Sequence, residues 1–306
     1  GSVYRAVHDT TGEQVAVKIA HPDPGPATAL KQEAEVYRTL NGVEGFPTLR
    51  WTDVENGRSV IALDLLGPDL KTLYRQCNNR FSLKTVILLA IQLLSRLQRI
   101  HGRGYVHRDI KPSNIVMGSS QDGRAGVVHV VDFGLSRSLI DRKTGRHVPL
   151  RCGRPLIGNV RYASIRTHRG IEQSYRDDLE SLAYMLINFL RGNLPWSASV
   201  GATIPMRNQA IMMKKLMTPL HELCAGFPDE FLHLVLCARF LAFDECPDYV
   251  HWRRVFRSLY ARQRLLYEKD AVFDWSEGSR VLQPVSRPVT PSPQCARRAK
   301  RVSKRQ

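Results

Sequence analysis

Val3, Val15, Val17 and Ile19 alternate with polar or small residues around a Thr11-Gly12 turn. That period belongs to a half-exposed β-hairpin and places Lys18 on a strand. His21-Pro22-Asp23-Pro24-Gly25-Pro26 suits neither strand nor helix, because each proline fixes φ and lacks an N–H, so it predicts a stiff connector. Beyond it Leu30, Glu33, Ala34, Tyr37 and Leu40 recur at helical spacing up to an Asn41-Gly42 stop. Glu33 therefore lies on the apolar stripe of a helix, where a carboxylate is costly unless paired. Val60-Ile61-Ala62-Leu63-Asp64-Leu65-Leu66-Gly67-Pro68 predicts a short apolar strand broken by a Gly-Pro turn. Residues 82–104 predict a helix that is apolar on most sides and hence central to a core. A polar stretch runs from 134 to about 154, and from 178 onward the pattern is mostly helical.

The chain has 306 residues, 43% of them hydrophobic, enough for one two-lobed domain or two small ones. Its most apolar stretches, 86–94 and 182–190, are interrupted by Gln92 and Asn188. They fall short of the roughly 18–20 apolar residues that span a bilayer, so no transmembrane segment is expected. Six cysteines without a Cys-x-x-Cys pair or zinc-ligand spacing suggest a reduced, cytoplasmic and/or nuclear chain. The net charge is +17, and about half of the excess comes from eight Lys or Arg in residues 279–306, a stretch without Asp or Glu. Its proline and serine content predicts a disordered tail. Arg297-Arg298-Ala299-Lys300-Arg301 reads as an import signal, an anionic-membrane patch or a nucleic-acid contact, against a solvated tail with no dedicated partner.

The densest chemistry is His107-Arg108-Asp109-Ile110-Lys111-Pro112-Ser113-Asn114, followed eighteen residues after Asn114 by Asp132-Phe133-Gly134. Asn114 and Asp132 offer hard oxygen ligands for a metal, Asp109 a proton acceptor, and Lys111 a charge to neutralise a moving phosphate. This order resembles the protein kinases, and Lys111 resembles the serine/threonine branch. The resemblance implies a two-lobed α+β kinase fold: a small β-rich N-lobe over 1–66, a large helical C-lobe over 67–278 and the basic tail over 279–306. It implies ATP and Mg2+ as cofactors, with Lys18 on the α- and β-phosphates and Glu33 holding Lys18. Gly1, Val3, Ala16, Leu63, Asp64 and Leu66 would complete the nucleotide site, the backbone around residues 63–66 meeting the adenine.

Further blocks narrow the match. Arg161-Tyr162-Ala163-Ser164-Ile165, Gly170-Ile171-Glu172-Gln173-Ser174, Arg176-Asp177-Asp178-Leu179-Glu180-Ser181-Leu182, Leu194-Pro195-Trp196 and Val272-Phe273-Asp274-Trp275 resemble the casein kinase 1 family over roughly residues 1–276. The resemblance implies a monomeric serine/threonine kinase whose protein substrates carry acidic or phosphorylated residues upstream of the target. Arg154, Arg161 and Arg207 match the basic groups that read the priming phosphate, and Asp178 matches an aspartate that braces the catalytic loop, with a simple helix N-cap as its plain alternative. The sequence departs from the family at Asn159, Arg166, Ala198 and Arg207. Gly1-Ser2-Val3 matches the last Gly-x-Val of a glycine-rich loop, so the first strand and two glycines are expected to be missing. Two other readings stand beside the kinase: a pseudokinase-like module with a basic tail binding anionic partners, and a nucleic-acid binder inferred from charge alone.

Overall fold

A computed structural model describes residues 2–8, 11–20, 26–55, 58–121, 123–141, 143–263 and 273–276. Gly1, the connector 21–25 and the tail 279–306 lie outside the described residues. Strands β1 (Ser2–Val7) and β2 (Gln14–Ile19) form the expected hairpin, and helix α1 (Pro26–Leu40) follows. Strands β3 (Leu49–Glu55) and β4 (Arg58–Asp64) complete an antiparallel sheet of order β1-β2-β4-β3. The register sets Val3 and Ile61 opposite Lys18, and Leu63 opposite Ala16. Paired and alternate residues share a face of a pleated sheet, so Val3, Ala16, Lys18 and Leu63 share one side. Helix α1 packs on the sheet through buried Leu30, Ala34, Tyr37 and Leu40.

The chain leaves the sheet after Asp64 and becomes helical with α2 (Leu70–Gln76) and α3 (Leu83–His101). Asp69 and Ser82 cap these helices, accepting from Thr72 N and Thr85 N. Two short hairpins, β5 (Tyr105–Val106) with β8 (Arg137–Ser138) and β6 (Ile115–Met117) with β7 (Val128–Val130), carry the loops between them. Then come α4 (Ile165–His168), α5 (Tyr175–Arg191), α6 (Ile204–Met217), α7 (Leu220–Leu223), α8 (Asp229–Phe240) and α9 (Tyr249–Arg262). Helix α5 is buried from Tyr175 to Leu190 and packs between α3 and α8, so the second lobe is built around it. The architecture is the α+β arrangement that the resemblance implies: a small antiparallel sheet with one helix above a helical body. Among the described residues no helix is long and apolar enough to cross a membrane.

Residues 273–276 return to the start of α3. Phe273 and Trp275 stack at 4.7 Å, and Trp275 lies 5.1 Å from the Phe81 ring. The Asp274 carboxylate accepts from Ser82 N and Ser82 Oγ, both at 2.6 Å. A carboxylate there satisfies a free N–H and complements the positive end of the helix. Asp274→Ala is expected to cost about 1–2 kcal/mol of stability, the scale of a lost helix cap. Urea unfolding checks this: the midpoint falls at an unchanged slope.

Candidate active site

Lys18 on β2 donates to both Glu33 oxygens at 2.9 and 2.7 Å and to Asp132 Oδ1 at 2.7 Å. Glu33 is 1% exposed on the buried stripe of α1, and its burial, which raises its pKa, is offset in part by the Lys18 charge. Burial alone would lower the Lys18 pKa, but the Glu33 and Asp132 carboxylates outweigh it and hold the ammonium above its ordinary value. Burial alone would likewise raise Asp132, whose pKa is held down chiefly by the Lys18 charge. The same helix fixes the backbone of Asp132-Phe133-Gly134. The Tyr37 hydroxyl accepts from Asp132 N at 3.0 Å, and the Tyr37 ring meets buried Phe133 edge-on at 5.0 Å. Asp132 takes φ +66, a conformation that a non-glycine residue holds only where neighbours enforce it.

The second constrained residue is Arg108, at φ +67. Its N–H and that of His107 donate to the two oxygens of Asp178 at 2.8 and 2.7 Å. Asp178 lies inside α5, which Ser174 begins, so it is a brace for the catalytic loop and not an N-cap. Burial would raise its pKa, yet His101 and the loop N–H groups hold it low. His101 Nε2 lies 2.9 Å from Asp178, and its Nδ1 meets the hydroxyl of buried Tyr249. Held this way, the loop presents Asp109 with both oxygens engaged. Lys111 Nζ and Asn114 Nδ2 donate to Oδ2 at 2.5 and 3.1 Å, and Asn159 N donates to Oδ1 at 2.9 Å. Gly158 makes the last contact possible: at φ +89, a Cβ would stand 2.2 Å from the Arg108 carbonyl. Asn159, a departure noted from sequence, thus acts on Asp109 through its backbone, while its side chain accepts from Arg161 N at 3.0 Å.

With its amide nitrogen bonded to Asp109, Asn114 keeps its carbonyl oxygen for a hard cation, and the Asp132 side chain is 44% exposed. Those two oxygen donors suit Mg2+, which takes one or two protein ligands and fills its octahedron with water and phosphate oxygens. The described residues hold no cluster of three or more His, Cys, Asp or Glu that would suggest a dedicated metal cage. Asp64 turns its carboxylate away, to Thr48 N at 3.0 Å and Arg50 Nε at 2.7 Å. Leu66 lies in the turn after β4, in a second cleft shared with Trp275.

The three arginines expected at a substrate phosphate do not converge. Arg161 and Arg207 line one cleft of about 600 Å³ with Lys111. Arg154 lies elsewhere, 3.1 Å from buried Glu172, which also pairs with Arg137 at 2.9 Å. Exposed Ala198 does not line the Arg161 cleft, though its neighbour Ser197 does. Arg166, the other departure, donates to the Ala238 and Arg239 carbonyls at the end of α8, where a cation suits the negative end of a helix.

Lys215 escaped the sequence reading, although it follows buried Ile211 by one helical turn on α6. It is wholly buried and donates to the Val160 and Ala163 carbonyls at 2.8 and 2.6 Å. His168, held down to about 4 by burial and the Lys215 charge, is neutral and accepts at 3.1 Å. The Tyr184 and Trp196 rings lie 5.3 and 5.4 Å from the ammonium, and Trp196 Nε1 donates to Arg161 O at 2.8 Å. The whole 159–163 segment is thereby pinned from below. Burial lowers the Lys215 pKa from 10.5 to about 7. The folded state therefore binds fewer protons than the unfolded one between those values, and stability rises with pH. Relative to Lys215→Met, the wild type is expected to gain up to about 1.4 kcal/mol per pH unit above neutrality. Urea unfolding of both proteins near pH 7 and near pH 9 measures this, and a constant difference would refute it.

Lys18, Glu33 and Asp132 thus meet at one ammonium, and Lys111 and Asn114 meet at the Asp109 carboxylate. The protein kinase domain family model matches residues 1–238. With more than three quarters of its length in that match, the chain belongs to the protein kinase domain family.

Proposed function

We propose that the chain is an active serine/threonine kinase of the casein kinase 1 type, transferring the γ-phosphate of ATP to acidic or phosphate-primed protein segments. The observation that carries catalysis is the Lys18 ammonium bonded at once to Glu33 and Asp132, across the cleft from an oriented Asp109. Lys18 grips the α- and β-phosphates and pins the donor. Asp109 takes the proton of the incoming hydroxyl as the new P–O bond forms and the bond to the β-phosphate oxygen breaks, releasing ADP. Lys111, on the same carboxylate, offsets negative charge as the phosphoryl group moves. Bound Mg2+ supplies charge neutralisation at the phosphate oxygens, and Asn114 and Asp132 would hold it. Val3, Ala16 and Leu63, on the Lys18 side of the sheet, form the apolar cover of the nucleotide. The serine/threonine reading is supported by Lys111 two residues after Asp109, and the substrate reading by Arg161 and Arg207 beside Lys111. A monomer completes the reading.

Asp132→Asn removes a metal ligand while keeping side-chain volume, so kcat is expected to fall on the order of 100-fold or more, with the melting temperature within a few degrees of wild type. Full activity in that variant would overturn the metal assignment. A peptide carrying phosphoserine three residues before its target serine is expected to show a higher kcat/KM than its unphosphorylated twin, since a guanidinium meets a phosphate through charge-assisted hydrogen bonds. Arg161→Ala and Arg207→Ala are each expected to move that ratio toward one, and Arg154→Ala, at the Glu172 pair, to leave it near the wild-type value. A wild-type ratio of one would overturn the priming site.

A further inference from the structure

The cleft that holds Arg161 and Arg207 contains more positive charge than a single priming phosphate matches. Its sixteen lining residues include five cations, Lys71, Arg75, Lys111, Arg161 and Arg207, and no Asp or Glu. Lys111 is matched by Asp109 at 2.5 Å. A phosphate near −2 matches Arg161 and Arg207. Lys71 and Arg75 are left over. Both belong to α2, four residues apart and hence on one face of the helix. That face is fixed, because Leu70, Leu73 and Tyr74 are buried and the Tyr74 hydroxyl, beside the two cations in the same cleft, donates to Asn188 O at 2.9 Å. The Asp69 carboxylate is spent on Thr72 N at 2.6 Å and does not reach along the helix. Lys71 and Arg75 are exposed, with no hydrogen bond or ion pair to another described side chain.

We propose that Lys71 and Arg75 form a second anion subsite, so that the cleft selects protein segments carrying a second phosphorylated or acidic residue in addition to the priming one. Charges of one sign held together in a cleft repel until an anion enters, and walls on both sides concentrate their field on it. Helix α2, the 159–162 segment, α6 and Lys111 line this cleft together. A polypeptide bound in it meets one pair of cations from α2 and another in Arg161 and Arg207. The inference rests on the proposed substrate reading of this cleft, and it adds a requirement that Arg161 and Arg207 do not impose.

The experiment uses the full 306-residue chain and synthetic peptides with one target serine. One peptide is unprimed, one carries phosphoserine three residues upstream, and a series adds a second phosphoserine at each further upstream position in turn. In the wild type, one position of the second phosphate is expected to raise kcat/KM over the singly primed peptide by about tenfold, the scale that two solvent-exposed charge contacts together supply. The gain should shrink in high salt, where such contacts are screened. The double variant Lys71→Glu/Arg75→Glu is expected to reverse that gain and Lys71→Gln/Arg75→Gln to abolish it, both retaining the gain from the first phosphate. Arg161→Ala shows the opposite pattern. Equilibrium affinity of the same peptides, read by fluorescence anisotropy without ATP, gives the same comparison independently of turnover. The proposal is overturned if no position of the second phosphate helps the wild type, or if the glutamine variant keeps the full gain. It is also overturned if a single-stranded oligonucleotide of equal charge displaces the peptide with equal affinity, since the cleft would then take any polyanion. Loss of the first-phosphate gain in the wild type with a surviving, α2-dependent second gain would remove the priming reading and leave the α2 subsite standing.

Discussion

A carboxylate on the apolar stripe of a helix has to find a cation, and the rest of the upper lobe follows from that requirement. Glu33 is almost wholly buried, and an unpaired charge there would cost several kcal/mol. Lys18 answers it from the sheet, which fixes the distance between β2 and α1. The same ammonium reaches Asp132, which belongs to the lower lobe in sequence. Three segments far apart in the chain are therefore tied at one nitrogen atom. Tyr37, one turn after Glu33 on α1, repeats the tie through the backbone of Asp132 and the ring of Phe133. A shift of α1 would break both ties together, so the position of this helix and the readiness of the nucleotide site are one variable.

The lower lobe solves a different problem with one helix. Near its start, α5 carries three buried acids that between them hold two segments, 107–108 and 164–165. Asp177 holds Ser164 Oγ at 2.5 Å, Asp178 holds the backbone of His107 and Arg108, and Glu180 accepts from Ile165 N at 3.2 Å and from the Tyr184 hydroxyl at 2.7 Å. Desolvation pushes Asp177 up to about 6, a measure of how far this helix lies from water. The 164–165 segment and the 107–108 loop are thus hung from a common rigid support, with Lys215 adding a hydrogen-bond donor under residues 160–163. The placement of Asp109 relative to Arg161 is a property of α5 and α6 more than of the loops themselves.

Local periodicity made the hairpin, α1 and α3 legible, because each has an apolar face of regular period and a clear stop. The need of Glu33 for a cation was legible for the same reason, since a charge on an apolar stripe is a conspicuous anomaly, and the kinase resemblance named Lys18 as the partner. Lys215 presents the same anomaly, one turn after Ile211, but it follows Lys214 in a basic chain, and its acceptors are main-chain carbonyls that leave no mark in sequence. Arg154 shows the converse limit. Its place in the resemblance grouped it with Arg161 and Arg207, yet the buried carboxylate of Glu172, which Arg137 also reaches, draws it away from them. Lys71 and Arg75 looked like ordinary solvated charges on a short helix, and only the cleft they share with Arg161 distinguishes them.

Gly158 gives the fold a diagnostic letter. Its backbone passes so close to the Arg108 carbonyl that no side chain fits, and its conformation is one that other residues avoid. The contact it permits, Asn159 N to Asp109, is the only one that joins the 159–163 segment directly to the Asp109 carboxylate among the described hydrogen bonds. Any side chain at this position would have to push the Arg108 carbonyl aside and would loosen the hold of Asn159 N on Asp109. A residue with no functional group of its own thus governs how that carboxylate is held.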